Sequence, residues 1–525
     1  SVSMGAMRSG DAWMYLGTQA DQHPDREAVI IGADRYTYAD LELRSNQVAH
    51  ACRELGLAPG DGVLIMLENR IEFFEIWWGA MRSGLYVTPV NWHLTPGEVS
   101  YLIRDSGAKA LFYSTGLEAV VAQLATEFPA LVLVAVGGQD ESDGRVPYGA
   151  LTRAQPTARI ARELAGATMF YSSGTTGRPK GIRAPISGGG PDDGSSASNL
   201  TVGNFGLSGG HRFLSTGPLY HAAPALWSTA MHTVGSTVVV MERFDPARAL
   251  DLLVSEDITV SQWVPTMFIR LLRLPRPVRE PFAAPLHLQA WHAAAPCPVP
   301  VKEAMLAWWG PVVWEYYSGS EGGGTVISPQ EWLERPGSVG KHWRGGITHV
   351  LHAESHEPVS PGTEGLIYFE PFANFVYHND PAKTASTYHG DLITLGDVGY
   401  LDADSYLYLT DRHSDMIVSG GVNIYPREVE ETLLGHPGVL DVAVFGVPDA
   451  EFGERVLACV QPADADADPA QLEAVLDAHC REHLAGFKRP RSYRFDAELP
   501  RDANGKLYKR RLRDEYWNSR ASRLI

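Results

Sequence analysis

The sequence predicts an α/β protein in two parts: a large N-terminal domain of helix-covered sheets and a small α/β domain at the C-terminus. Three observations predict it. Short β-prone runs alternate with stretches whose apolar residues recur at helical spacing, the pattern of parallel strands covered by helices. The chain has 525 residues, too many for one core at about 100–200 residues per domain. Glycine (52) and proline (35) together make up about a sixth of it, above the usual share of about 12%, so the elements are short and the turns frequent.

Taken in order, residues 28–31 (AVII), 62–66 (GVLIM), 110–113 (ALFY) and 131–136 (LVLVAV) read as strands. Over residues 40–55, Leu41, Val48, Ala51, Cys52 and Leu55 fall on one face of a helix. The pattern resumes at residues 236–241 (STVVVM), with a helix expected over 246–254 and a strand over 259–264. Residues 186–199 (ISGGGPDDGSSASN) have little apolar surface to bury and are expected to form a mobile surface loop. A boundary is expected near residues 410–412. Beyond it come a helix over 429–434, a strand over 439–445 and a helix whose Leu472, Val475, Leu476 and Cys480 face inward. These are the makings of a domain of about 110 residues.

Composition excludes several classes. Hydrophobic residues at 44%, aromatic at 10% and charged at 20% are an ordinary globular balance. With 44 Lys plus Arg against 62 Asp plus Glu, the formal net charge is −18, which argues against a nucleic-acid partner. No run approaches the ~18 consecutive apolar residues of a membrane span, and residues 1–10 lack the layout of a secretory signal. Cys52, Cys297, Cys459 and Cys480 lie far apart, which reads as reduced thiols in a cytoplasmic protein. The charge is also uneven: residues 481–525 hold 13 Lys plus Arg and 6 Asp plus Glu, a net +7 against −25 for the rest.

One segment carries chemistry by itself. Residues 171–182 read YSSGTTGRPKGI, with Ser172, Ser173, Gly174, Thr175, Thr176 and Gly177 following an apolar run and Lys180 closing it. Such a loop can wrap backbone N–H groups and hydroxyls around phosphate oxygens while the lysine neutralises their charge. The Walker pattern GxxxxGK[ST] is absent. A solvated turn is the plain alternative for such a run taken alone.

This segment resembles the phosphate loop of the adenylate-forming superfamily: acyl-CoA synthetases, peptide-synthetase adenylation domains and luciferases. The resemblance continues in the family's order over nearly the whole chain. Residues 35–41 (RYTYADL) and 82–91 (RSGLYVTPVN) are similar to its early structural motifs. Leu219-Tyr220-His221 resembles the substrate-side aromatic/His motif, residues 293–296 the adenine-site GAAP segment and residues 317–321 the Y-G-x-T-E motif. Gly396-Asp397-Val398-Gly399 matches the ribose-binding G-D-x-G, Asp411-Arg412 the hinge, residues 420–426 (GGVNIYP) the C-domain loop and Asn504-Gly505-Lys506 the late lysine motif. Residues 292–302 and 411–430 look most like actinobacterial acyl-CoA ligases of the fatty-acyl and steroid-acyl type.

The resemblance implies an acyl-CoA synthetase-like fold, with an adenylate- and acyl-binding domain over residues 1–410 and a mobile C-terminal domain over 411–525. It implies an AMP-forming ligase that joins a carboxylic acid to coenzyme A through an acyl adenylate, with ATP/AMP, Mg²⁺ and coenzyme A as cofactors. Lys506 would stabilise charge at the α-phosphorus, and Glu321 would hold Mg²⁺. Asp397 would take the ribose hydroxyls with Arg412 nearby. Tyr317 would stack on adenine, with Tyr316, Ser318, Gly319 and Ser320 on one side and Ala294, Ala295 and Pro296 on the other. His221 would gate or line the acyl pocket, and Gly420 and Gly421 would let the pantetheine arm slide past. Rotation at Asp411 would exchange the lysine motif for that loop. On the residues alone, a capping Asp397, a surface Arg412, a core Tyr317 and a core His221 are the plainer roles. A homodimer would be unsurprising.

The chain departs from the family around the nucleotide. Ser318 replaces a glycine, Ser320 a threonine, Ser405 a frequent turn glycine and His413 a common lysine, while Thr394-Leu395 precedes Gly396 where threonine often stands directly before it. One alternative is therefore a ligase with impaired adenylation that mainly converts a supplied acyl adenylate, a division of labour known in diterpenoid antibiotic pathways of the platensimycin type. Others are an enzyme that loads a carrier-protein thiol and a non-catalytic nucleotide-binding protein of the same fold. Pocket walls are expected from residues 221–227, 263–267 and 292–295, an apolar and aromatic set suited to a bulky hydrophobic acid, steroid- or terpenoid-like.

Overall fold

The computed structural model describes residues 15–138, 145–172, 179–192, 205, 207, 209–295, 297–319, 321–371, 375–412, 415–419, 422–449, 452–501 and 507–517. Among them are three sheets. The first runs Val146–Pro147, Val132–Val136, Ala110–Ser114, Gly62–Met66, Tyr86–Pro89, Ala167–Ser172 and Lys180–Arg183 in spatial order. All its neighbours are parallel except the last pair. Ser172 and Lys180 are register partners in that pair, so the glycine-rich segment leaves and returns at one point.

The second sheet changes character halfway. Glu27–Ile31, Thr237–Val240, Arg212–Ser215, Val260–Trp263, Gln289–His292 and Val313–Ser318 are parallel neighbours in that order. From Val313–Ser318 onward, Gly324–Ile327, Ser338–His342, Leu407–Arg412, Leu392–Leu401, Gly365–Phe369 and Thr348–Leu351 continue it antiparallel. The expectation of parallel sheets holds for the first half only. Short turns with no crossover helix join many strands after residue 313, and such connections permit only antiparallel pairing.

One core joins the two sheets. The helices Tyr38–Glu54 and Glu72–Arg82 contribute Leu41, Val48, Phe74 and Trp77 to it, alongside Val63 and Phe112 of one sheet and Val29 and Phe213 of the other. The first helix begins two residues before its expected start because Thr37 caps it: its Oγ1 accepts from the Asp40 N–H at 3.1 Å, and Asp40 Oδ2 accepts from the Thr37 N–H at 2.9 Å. The helices touch at Gly79, where a Cβ would lie 2.5 Å from Val48 Cβ. Any larger residue there would force them apart.

The third sheet holds Val422–Ile424, Ile417–Ser419, Gly453–Pro462 and Val439–Asp449, with Ser492–Phe495 parallel to Gly453–Pro462. Helices Pro426–Leu434 and Pro469–His483 cover it through Val429, Leu433, Leu476 and Cys480. Val475, expected to face inward, is exposed, because Leu476 and Cys480, four apart, already define the buried stripe. The loop expectation over residues 186–199 also changes where it can be seen. Asp192 accepts from the Tyr15 backbone N–H at 2.7 Å and the Thr18 hydroxyl at 3.0 Å, so that part is tied to the helix Leu16–Gln22.

All four cysteines are free and buried. No helix among the described residues is long and apolar enough to cross a membrane.

His232 links the helix Ala222–Thr233 to the rest of the core. Trp78 Nε1 donates to its Nδ1 at 3.2 Å and its Nε2 lies 3.1 Å from the Ala28 carbonyl, so it is neutral and carries its proton on Nε2. Burial pushes its pKa down to about 3. Against about 6.5 in the unfolded chain, the neutral form's stabilisation is complete above pH 6.5 and is lost as the pH falls, by about 2 kcal/mol at pH 5. His232→Gln should flatten this part of the acid limb in denaturation followed against pH. The turn before Leu407–Arg412 holds a second expectation: Ser405 has φ +66°, a left-handed conformation costly for a residue with a Cβ. Ser405→Gly should stabilise the chain by about 0.5–1 kcal/mol in calorimetry.

Candidate functional site

The strands that change the second sheet from parallel to antiparallel also carry most of the expected site. Strand Val313–Ser318 alternates its side chains between two faces, and its two tyrosines part company. Tyr317 donates its hydroxyl to Asp397 Oδ2, and its ring lies 5.9 Å from that of Phe369. Tyr316 turns the other way, into a cavity with Ala293, Ala294 and Gln262. Tyr316, expected with Tyr317 beside the nucleotide, thus faces the opposite side of the strand from it. Asp397 and Arg412 are register partners on adjacent antiparallel strands, which explains why two residues fifteen apart in sequence are neighbours.

A second carboxylate sits just past the end of the strand. Glu321 Oε1 accepts from the Tyr377 hydroxyl at 2.6 Å. A Cβ on Gly319 would lie 2.6 Å from Glu321 Oε2, so only glycine leaves that carboxylate in place. Burial first, then the charge of Glu321, pushes the Tyr377 phenol up, which keeps it a hydrogen-bond donor. Tyr377 bridges to Ile182, and the His378 N–H donates to the Gly181 carbonyl at 2.8 Å. The strand Lys180–Arg183 is thereby drawn to the same place. Lys180 Nζ lies 4.0 Å from Asp380 Oδ2 and 5.6 Å from the Tyr377 ring centroid. Burial and, less, the charge of Lys383 lower its pKa, opposed by Asp380 and Glu321.

Glu321 fits a hard cation as a single oxygen ligand. The described residues contain no cluster of three or more metal-type side chains, so phosphate oxygens and water would complete the shell of Mg²⁺, its usual manner of binding beside nucleotides. A cavity of about 370 Å³ flanks Lys180, lined by Tyr101, Asp105, Pro179, His378, Asn379 and Asp380. Lys180 brings a positive charge to this cavity and Asp105 and Asp380 bring negative ones.

Ser318, which replaces a glycine of the family, donates its hydroxyl to the Gly323 carbonyl at 2.8 Å, closing its own turn. Thr394 Oγ1 accepts from the Gly396 N–H at 3.0 Å, fixing the bend that precedes Asp397. Ala294 is held at φ +72°, strained backbone of the kind that collects at functional sites. Ala295 adjoins it, and Cys297 follows, buried, with its thiol pushed up chiefly by that burial. His221 is the N-cap of helix Ala222–Thr233, its ring 4.6 Å from that of Tyr220. Asn69 fixes the approach to it, accepting from the Leu219 N–H at 2.8 Å and donating to the Gly217 carbonyl at 3.0 Å.

Ser173, Gly174, Thr175, Thr176, Gly177, Pro296, Ser320, Gly420, Gly421 and Lys506 lie outside the described residues, and Ser172 and Arg412 are described only as strand residues. Sequence reasoning missed Tyr377, Asp380, Asn69 and Gln262. None stands in a motif; each reaches the site by strand pairing or a long-range hydrogen bond.

Behind the site lies a buried ion pair. Lys302, fully buried in helix Val299–Trp309, places Nζ 2.6 Å from Glu315 Oε2, and His292 Nε2 is 3.4 Å from the same oxygen. Desolvation first, then the Lys302 charge, holds His292 well below its usual range.

Comparison with known proteins shows the family. Residues 16–371 match the sequence model of the AMP-binding enzyme family, and residues 428–506 that of the AMP-binding enzyme C-terminal domain. The chain is 32% identical to the fatty acid–[acyl-carrier-protein] ligase ScoC of Streptomyces coeruleorubidus, covering 96% of each. It is 32% identical to a feruloyl-CoA synthase of Amycolatopsis, covering 97% of this chain and 100% of that one. The ATP-bound crystal structure of MatB from Rhodopseudomonas palustris superposes with a TM-score of 0.81 at 28% identity, over 96% of this chain and 99% of MatB.

Breaking the buried pair should expose its role. Lys302→Met leaves Glu315 uncompensated and should cost about 3–5 kcal/mol, while Lys302→Met/Glu315→Leu should regain most of it. Chemical denaturation of the three proteins measures both steps.

Proposed function

The chain belongs to the AMP-binding enzyme family and is an AMP-forming ligase, and from that premise we propose that it joins a carboxylic acid to coenzyme A in two half-reactions. In the first, a carboxylate oxygen attacks the α-phosphorus of ATP and the bond to pyrophosphate breaks. In the second, the coenzyme A sulfur attacks the acyl carbon, and AMP leaves with the bridging oxygen. Splitting the reaction turns an oxide leaving group into AMP, a far better one.

The observation that carries this reading is that two tyrosine hydroxyls hold two carboxylates, with a lysine ammonium near the ring of the second tyrosine. Tyr317 holds Asp397, and Tyr377 holds Glu321 beside Lys180. A ribose-type carboxylate, a cation-type carboxylate and a phosphate-type ammonium are thus set in advance for one nucleotide. Asp397 and Arg412 take the ribose, Tyr317 and residues 294–296 the adenine, and residues 172–177 with Lys180 the phosphates. A bound Mg²⁺ would neutralise charge on the phosphate oxygens. Residues 411–525 form the moving domain that delivers Lys506 for adenylation and Gly420 and Gly421 for thiol entry.

The folded-back hydroxyl of Ser318 supports complete adenylation over the impaired alternative. The acid is argued from the cavity, because the relatives' names give different acids. Trp263, Met267, Pro224 and Ala293 line it, and this apolar lining favours an acid with an apolar body.

Pyrophosphate release from ATP and acid, followed by AMP and thioester once coenzyme A is added, tests the sequence of steps; a carrier-protein thiol serves as the competing acceptor. Lys506→Ala should lower pyrophosphate formation by about 100-fold or more and spare thioester formation from a supplied acyl adenylate. Equal loss of both half-reactions would contradict domain alternation.

A further inference from the structure

An adenylation step that depends on Lys506 needs that residue's attachment held still within a domain that moves. Lys506 itself lies outside the described residues, but the residues on either side of its segment do not. Arg501 and Leu507 are antiparallel bridge partners, and the Tyr508 N–H donates to the Pro500 carbonyl at 2.8 Å. The segment between them therefore leaves and returns at one neck, and Lys506 is one peptide bond from it.

Apolar contacts hold the neck onto the sheet. Leu499 is buried with Phe445, Leu457 and Leu512, and Leu507 packs against the same cluster. The Leu499 N–H also donates to Gln461 Oε1 at 3.3 Å. Apolar contact is non-directional, so it fixes the neck's depth better than its angle. Direction comes from an ion pair. The Arg501 guanidinium meets both oxygens of Asp441: Nη2 donates to Oδ1 at 2.7 Å, and Nε donates to Oδ2. Two N–H groups of a planar fork on one carboxylate admit a single orientation. Asp441 is itself anchored, because its Oδ1 accepts from the Val442 N–H at 2.8 Å and its backbone stands opposite Gln461 in the paired strands Val439–Asp449 and Gly453–Pro462. The two side chains are 23% and 16% exposed, which sets the pair apart from the fully solvated ones that contribute little.

We propose that Arg501 is a positioning residue for adenylation: clamped by Asp441, it sets the angle of the neck from which Lys506 reaches the nucleotide. It acts through Lys506 and not by contact with the reacting atoms. This rests on the ligase reading above and deepens it, since the lysine is then delivered as part of a pre-shaped unit. Thioester formation, in which Lys506 has no part, does not depend on the clamp.

The test compares Arg501→Gln and Asp441→Asn with the natural full chain. Pyrophosphate release is followed with ATP and octanoic, cinnamic, 3-phenylpropanoic or benzoic acid, and thioester formation with coenzyme A and the synthetic adenylate of an accepted acid. For both variants kcat for pyrophosphate release should fall about tenfold or more, with KM for ATP and acid little changed. Thioester formation from the adenylate should stay at the natural rate, which also shows that the variants are folded. Arg501→Lys should recover only part of the loss, because an ammonium does not span both oxygens. In a Lys506→Ala chain, Arg501→Gln should lower pyrophosphate release no further, as expected of residues that act as a unit. Equal loss of both half-reactions, the result of a merely structural pair, would overturn the inference. So would an unchanged kcat, or a further loss in the Lys506→Ala chain. Absence of pyrophosphate from the natural chain with every acid would instead overturn the ligase reading and take this inference with it.

Discussion

The salt bridge between Lys302 and Glu315 is the constraint on which the site depends. Both charges are removed from water, at a cost of several kcal/mol each that only a close, well-formed contact offsets. What the contact achieves is placement. It ties the helix Val299–Trp309, which starts two residues after Cys297, to the strand that carries Tyr316 and Tyr317. A slip of one residue in that strand would exchange the tyrosines between faces, taking Tyr317 away from Asp397 and Tyr316 away from Gln262. A hydrophobic contact could slide; a charge pair in a dry interior has one good position.

Around this fixed strand, the site is assembled by hydroxyl groups more than by charges in direct contact. Tyr317 and Tyr377 each donate to a carboxylate, so each carboxylate is oriented by a neutral partner. The same economy operates in the turns, where Ser318 and Thr394 use their hydroxyls on nearby backbone groups and hold the loops in the shape a ligand needs.

Much of this was legible in the sequence, and the illegible part has a common cause. The strands at residues 62–66, 110–113 and 236–241 announce themselves as apolar runs, and Lys180, Glu321 and Asp397 stand in motifs that the family resemblance singles out. Periodicity could not reveal the antiparallel half of the second sheet, because direction is set by the connections and not by the strands. Nor could it reveal Tyr377 or Gln262. Tyr377 matters because an isolated bridge to Ile182 carries it to Glu321, and Gln262 because a neighbouring strand brings its amide to the Tyr316 hydroxyl. Val475 shows the reverse error: an apolar residue at helical spacing that lies outside the buried stripe.

Cys297 follows the adenine-site segment directly, so a thiol lies close to where the proposed chemistry creates an acyl adenylate, a strong electrophile. For a cysteine, the thiolate and not the thiol is the form that attacks such a carbon. Burial pushes this thiol's pKa well up, with the Glu315 charge adding to the effect, so the side chain stays protonated and enclosed. Of the other cysteines, Cys52 and Cys459 are raised by burial in the same way. Burial thus keeps these thiols out of the reactive thiolate form.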